Sequence, residues 1–232
     1  MSHMRPGPLP SLADGEYGFD SFLESVRSCR HCQGLIPEPR PILRAHPEAS
    51  LLIVGQAPGR TVHRTGIPWN DPSGKTLREW MGIDRAHFYD PTRVAILPAG
   101  FCYPGHSAHG DLPPRPECAR LWRMPLLERL PAIRLTLLLG RHAQALYLPE
   151  TRLLSLADTV RQATRWLPSL FPLPHPSPRN RLWFRRHPWF EAEILPILRD
   201  LLRGFWKEAP RGRLGLRARI PSAFPRPGVA PS

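Results

Sequence analysis

The chain has 232 residues, 41% of them hydrophobic. That is enough for one substantial core, or for a domain with tails. No run approaches the ~20 apolar residues of a membrane-spanning helix, and no membrane partner is expected. The formal charge is +13, with 32 Lys and Arg against 19 Asp and Glu. Such a balance favours a polyanion partner, because basic surfaces displace counterions from phosphates. Part of the excess is compositional: Lys75 and Lys207 are the only lysines, and the 31 prolines beside so many arginines suggest a GC-biased genome.

In chain order, Met-Ser-His-Met reads as an expression leftover and is set aside. No secretory apolar segment follows it, so a cytoplasmic location is expected. Residues 1–16 are rich in Pro and Gly and read as disordered. The main domain is expected over 17–206. Phe19, Phe22, Leu23 and Val26 recur at helical spacing and predict a first helix ending near Cys29. A tight CRHCQG knuckle follows, then a proline-rich extended segment. Leu51–Val54 is apolar throughout, as a strand buried on both faces is. The stretch after it, GQAPGRTVHRTGIPWNDPSG, predicts a long loop and then a helix carrying Leu77, Trp80 and Met81. Thr76 and Glu79 form a capping-box pattern at that helix, with Ser73 as another candidate cap. Gly55 and Gly59 imply either positive φ or close backbone approach.

Further strands are predicted at 93–97, 134–139 and 170–173. Between them come a loop over 100–116, a helix from Pro116 to about Leu130 kinked at Pro125, a short helix at 143–148 and a weaker one at 153–166. A last helical stretch, Trp183 to about Phe205, is interrupted at Pro188. Residues 207–232 hold arginine, glycine and proline without period and read as a basic disordered tail. Strands alternating with helices predict a three-layer α/β/α domain on a parallel sheet.

Two loops and one residue type carry the chemistry. The loop after Leu51–Val54 holds histidines, arginines, Trp69, Asn70 and Asp71, more than a connection needs. The loop after residue 173 reads His-Pro-Ser-Pro-Arg-Asn, His175 to Asn180. The cysteines, Cys29, Cys32, Cys102 and Cys118, are spaced C-x2-C and C-x15-C. In a reducing compartment that pattern suggests a metal or cluster before disulfides.

GQAPG at 55–59, HPSPRN at 175–180 and the four cysteines in this order together resemble the uracil-DNA glycosylase superfamily. They are most similar to its iron–sulfur branch, usually called family 4. The resemblance implies a four-stranded parallel sheet between helices, acting on DNA as a monomer. It implies that a damaged nucleotide is flipped out and the bond between base and sugar hydrolysed. It places Trp69 as the stacking aromatic and His175 as the group that hydrogen-bonds the leaving base. It places Ser177, Arg179 and Asn180 on backbone phosphates or in the minor groove. Backbone amides of Gln56, Ala57 and Gly59 would meet base, phosphate or water at the first loop. The cysteines would hold a [4Fe–4S] cluster, with zinc as the alternative that spacing alone leaves open.

Departures accompany the likeness. Family 1 enzymes place Asp third in the first motif, where this chain has Ala57. The iron–sulfur branch has Glu second, where Gln56 stands, and an acidic pair at the positions of Val62 and His63. Its base-reading Asn is replaced by Pro98. From position alone, Asp71, His63 and Asn70 are candidates for the missing roles: Asp71 and His63 toward water or phosphate, Asn70 toward a base edge. An Asx-turn or helix cap is the structural alternative for Asp71. Neither loop holds a lysine to form a Schiff base, so a monofunctional hydrolase is expected rather than a lyase. The rival expectation is a superfamily member that binds damaged or single-stranded DNA with little cleavage.

Overall fold

A computed structural model of the chain describes residues 15–108 and 110–207. The expectations for the N-terminal segment and the basic tail fall largely outside those residues. Helix α1, Gly15–Arg27, buries Phe19, Phe22, Leu23 and Val26, the periodic face read from sequence. Strands β1 (Leu51–Val54), β2 (Val94–Ile96), β5 (Leu135–Leu139) and β6 (Leu170–Leu173) form one parallel sheet in the order β2-β1-β5-β6. The register pairs Leu51 with Val94 on one side and with Leu135 on the other, and Leu137 with Phe171.

Because side chains alternate along a strand, the sheet feeds two cores. Leu52, Val54, Ala95 and Leu138 face α1, Trp122 and Leu126. Leu51, Ile53, Ile96, Leu137 and Phe171 face Leu77, Trp80, Phe190 and Leu198 on the opposite side. Each such fully buried side chain contributes about 1.5–3 kcal/mol. The result is the expected three-layer α/β/α domain around a four-stranded parallel sheet. Among the described residues no helix is long and apolar enough to cross a membrane.

Several local expectations are corrected. The segment between β1 and the Trp80 helix is not all loop: Arg60–Thr65 forms a short helix, α2, closed by Gly66 at φ 71°. The next helix, α3 (Pro72–Met81), is capped by Asp71 rather than Ser73 or Thr76, with Pro72 in its first turn. Inside the expected loop, β3 (His106–Ser107) and β4 (Gly110–Asp111) pair antiparallel as a small hairpin. The Pro125 kink is realised as a π-helical turn, Ala119–Arg123, directly before α5 (Met124–Glu128). A second π-helical turn, Phe190–Ile194, precedes α9 (Leu195–Lys207) and its Pro196. In both places the helix widens just before a residue that has no N–H to donate. The weak 153–166 helix divides into α7, Leu156–Arg161, flanked by 3-10 turns.

Candidate active site

All four strands point the same way, so their carboxyl ends open on one edge, where open α/β sheets place ligands. The loops leaving them enclose a cleft of about 740 Å³. Gly55–Gly59 comes from β1, Pro98 from β2, Gly140 from β5, and His175, Ser177, Arg179 and Asn180 from β6.

Trp69 and His175 both line this cleft and meet in its wall. Their rings stack with centroids 5.5 Å apart and planes at 30°. Trp69 holds a left-handed backbone conformation, φ 57°, rare for a bulky residue. Its turn is fixed from several sides: Tyr89 donates its hydroxyl to the Pro68 carbonyl at 2.9 Å, and Arg78 donates to the Trp69 carbonyl. Gly74 is required beneath it, since a Cβ there would lie 1.7 Å from the Trp69 oxygen. Gly55 serves by close approach, not by positive φ; a Cβ on it would stand 2.8 Å from the indole ring.

His175 follows β6, and its carbonyl accepts the Asn180 side-chain amide at 2.7 Å. Burial depresses its pKa to about 4, with Asp111 opposing the shift. The imidazole is therefore neutral at neutral pH and offers one N–H donor and one acceptor.

The other expected residues distribute unevenly. Asp71 lines the cleft, but its Oδ1 accepts the Gly74 N–H at 2.8 Å as the cap of α3. Burial raises its pKa, and the helix amides partly oppose that rise. Gln56 lines the cleft with its amide donating to the Leu112 carbonyl at 3.2 Å. Ala57 and Gly59 contribute backbone to the same wall. Ser177 caps a short 3-10 turn by accepting the Arg179 N–H, and Arg179 reaches across to Gly110 of the hairpin. His63 and Asn70 stand outside the cleft wall. His63 pairs with Glu38 at 3.2 Å, and Asn70 accepts from Arg85.

Sequence reading missed two groups in the wall. One is the His106–Asp111 pair of the hairpin, with His106 Nδ1 and Asp111 Oδ1 3.2 Å apart. The other is Arg141 and His142, at the start of α6, Arg141–Tyr147. The only available signals were glycines around a polar turn (Gly105 and Gly110, both at positive φ) and the glycine that ends β5.

Residues 44–199, well over half of the chain, match the family model of the uracil DNA glycosylase superfamily. The chain belongs to the uracil DNA glycosylase superfamily. The match spans both loops of the cleft, so the stacked Trp69–His175 pair lies within the superfamily domain. Superfamily membership makes DNA the class of substrate and hydrolytic base removal the general chemistry.

Cys29 and Cys32 lie outside the matched span, whereas Cys102 and Cys118 lie inside it. All four are free thiols, and all four line one small pocket with Phe101, Leu121 and Trp122. Cys118 Sγ accepts the Phe101 N–H at 3.4 Å. Burial, reinforced by the neighbouring cysteines, pushes Cys102 up to about 12 and Cys118 to about 11. Four thiolates cannot share such a pocket without a cation, and a bound metal would replace their protons. Among the described residues no three His, Cys, Asp or Glu side chains converge on a single ion. The donor chemistry, not a preformed cage, is therefore what fits a metal or cluster.

Proposed function

We propose that this chain is a monofunctional DNA glycosylase that flips uracil or another deaminated base into the cleft and hydrolyses its bond to the sugar. The observation that carries this reading is the Trp69–His175 pair at the strand ends. Trp69 supplies an aromatic plane against which a flipped base stacks. Neutral His175 supplies an N–H for the oxygen of the departing base, where negative charge grows as the bond breaks. Arg179, Ser177 and Asn180, together with the Gly59 end of the first loop, supply the phosphate and groove contacts of the strand.

Cys29, Cys32, Cys102 and Cys118 would hold a [4Fe–4S] cluster, with zinc the other occupant the thiolates accept. The group would be structural, clipping the segment after α1 to the hairpin segment that ends at Cys118. The rival reading is a DNA binder with little cleavage. It draws on Pro98 in the base-reading position and on the capping role of Asp71.

One assay separates the two. Oligonucleotides carrying uracil, hypoxanthine or xanthine are incubated with excess protein, single-stranded and in each mismatch, and abasic sites are revealed by alkali. A cut product with one base establishes the enzyme and names its substrate. In that case His175→Ala is expected to slow cleavage by about 10²–10³-fold, the loss of one stabilising donor, while DNA binding holds. Bound DNA with no product from any base supports the binder.

A further inference from the structure

We infer that Asp111, presented by the β3–β4 hairpin, is the carboxylate that activates water in the cleft, with His106 as its positioning residue. This rests on the glycosylase reading above. Three observations point to Asp111. It lines the same cleft wall as Trp69 and His175. Its Oδ1 is paired with His106 Nδ1 at 3.2 Å, and its Oδ2 lies 3.5 Å from where a Cβ on Gly59 would stand. One oxygen is thus fixed by the imidazole, and the other is held against the Gly59 end of the first loop, in the cleft. The side chain keeps 35% of its surface open, enough to hold a water. Its charge also reaches both other candidates, opposing ionisation of Asp71 and favouring protonation of His175.

Asp71 is committed differently. Its Oδ1 accepts the Gly74 N–H at the start of α3, so its aim serves the helix. Asp111 has no helix to cap. It sits on a two-residue strand, with Gly110 at φ 122° letting the chain turn so that Arg179 passes beside it. The hairpin is bracketed by Cys102 and Cys118, so the segment presenting the carboxylate is anchored at both ends in the cysteine pocket.

In the step, the water oxygen bonds to C1′ of the sugar and the bond from C1′ to the base nitrogen breaks. The electron pair of that bond leaves on the base, whose oxygen accepts from His175. The water proton passes to Asp111 and then to solvent, and the base anion takes a proton from solvent. The same carboxylate faces the positive charge that develops on the sugar.

The test measures single-turnover cleavage and DNA affinity for the full chain, with melting temperature as the check on folding. Asp111→Asn keeps the shape and removes the base; it is expected to slow cleavage by about 10²–10⁴-fold, the span of general-base catalysis. Affinity should stay within about threefold, since rate and binding are separable. Formate should restore part of the rate to Asp111→Ala, which a merely structural role would not allow. Should both variants unfold, His106→Asn leaves the acid in place without its imidazole and is expected to lose about tenfold in rate at unchanged affinity. Glu191→Gln, exposed and away from the cleft, should cleave as the parent does. An Asp111→Asn rate within threefold of the parent, or a loss that only tracks weakened binding, would overturn the inference and leave the glycosylase reading standing. So would a full rate in His106→Asn if that is the only variant that folds. A parent that cleaves none of the three bases overturns both together.

Discussion

The strand-end cleft and the cysteine pocket share the segment from Pro98 to Cys118 and differ in almost everything else. The cleft holds about 740 Å³ and is walled by polar side chains, loop backbone and apolar groups such as Trp69, Ile96 and Leu156; the pocket holds about 10 Å³ and is lined mainly by thiols, prolines and aromatics. In the cleft, side chains are placed by local devices: a left-handed Trp69, a capping Asp71, an Asn180 amide on the His175 carbonyl. In the pocket, the sulfurs are placed by backbone bonds: Leu35 N–H donates to the Cys32 carbonyl, and Phe101 N–H to Cys118 Sγ. The contrast teaches that the cleft is preorganised by backbone geometry, while the N-terminal segment is held by the buried face of α1 and by backbone bonds such as Ile42 N–H to the Phe101 carbonyl, with the thiols left over for a bound group. Arg123 joins the two regions. Fully buried beside Cys118, it donates to the Pro98 carbonyl in the cleft wall and to Tyr147.

The strongest way to break this comparison is to remove a sulfur. Cys102→Ser or Cys118→Ser is expected to abolish iron binding and visible absorbance, and to cost most of the domain's stability, read by iron analysis and thermal melting. Parent protein that contains zinc and no iron would keep the contrast and change the occupant. Parent protein with neither metal would end it.

A smaller effect concerns acid. The folded-state pKa of His175, about 4, lies below its ordinary 6.5 because of burial. Between those values the unfolded chain binds a proton that the native one refuses, so stability falls as pH drops through 6.5 and levels off near 4. His175→Gln should flatten that part of the profile in denaturant titrations. An unchanged slope would mean that the imidazole is not held in a desolvated site.

The smallest is Gly140→Ala. Gly140 has φ 81°, and a Cβ there would press to 3.1 Å from the His175 Cβ. A stability loss of about 1 kcal/mol, with a rate loss below tenfold, is expected from melting and single-turnover assays. An equal or faster rate would show that His175 has room to shift.

Much of this was legible beforehand where one physical rule dominated. The all-apolar runs at 51–54 and 135–139 read as buried parallel strands, and the α1 face followed from Phe19, Phe22, Leu23 and Val26. Trp69 and His175 were singled out by motif, and their meeting required only that both loops leave the same edge of the sheet. The hairpin at 106–111 left no hydrophobic period to detect, because its strands are two residues long and its side chains polar. Asp111 was therefore invisible as a site residue. Asp71 was ambiguous for another reason: Asp-Pro-Ser-Gly suits a helix cap and a cleft wall, and the fold uses it as both.

The strand order has a consequence for when the protein becomes competent. Central strand β1 cannot complete its pairing until β5 exists, and β6, which carries His175, joins only after that. Contacts so distant in sequence form late and slowly, because the intervening loop must first be closed. During synthesis, Trp69 and the first loop emerge long before His175. The cleft wall that His175 supplies is missing until this last strand has paired along the edge of the sheet. The finished cleft is thereby withheld from incomplete molecules by the topology itself.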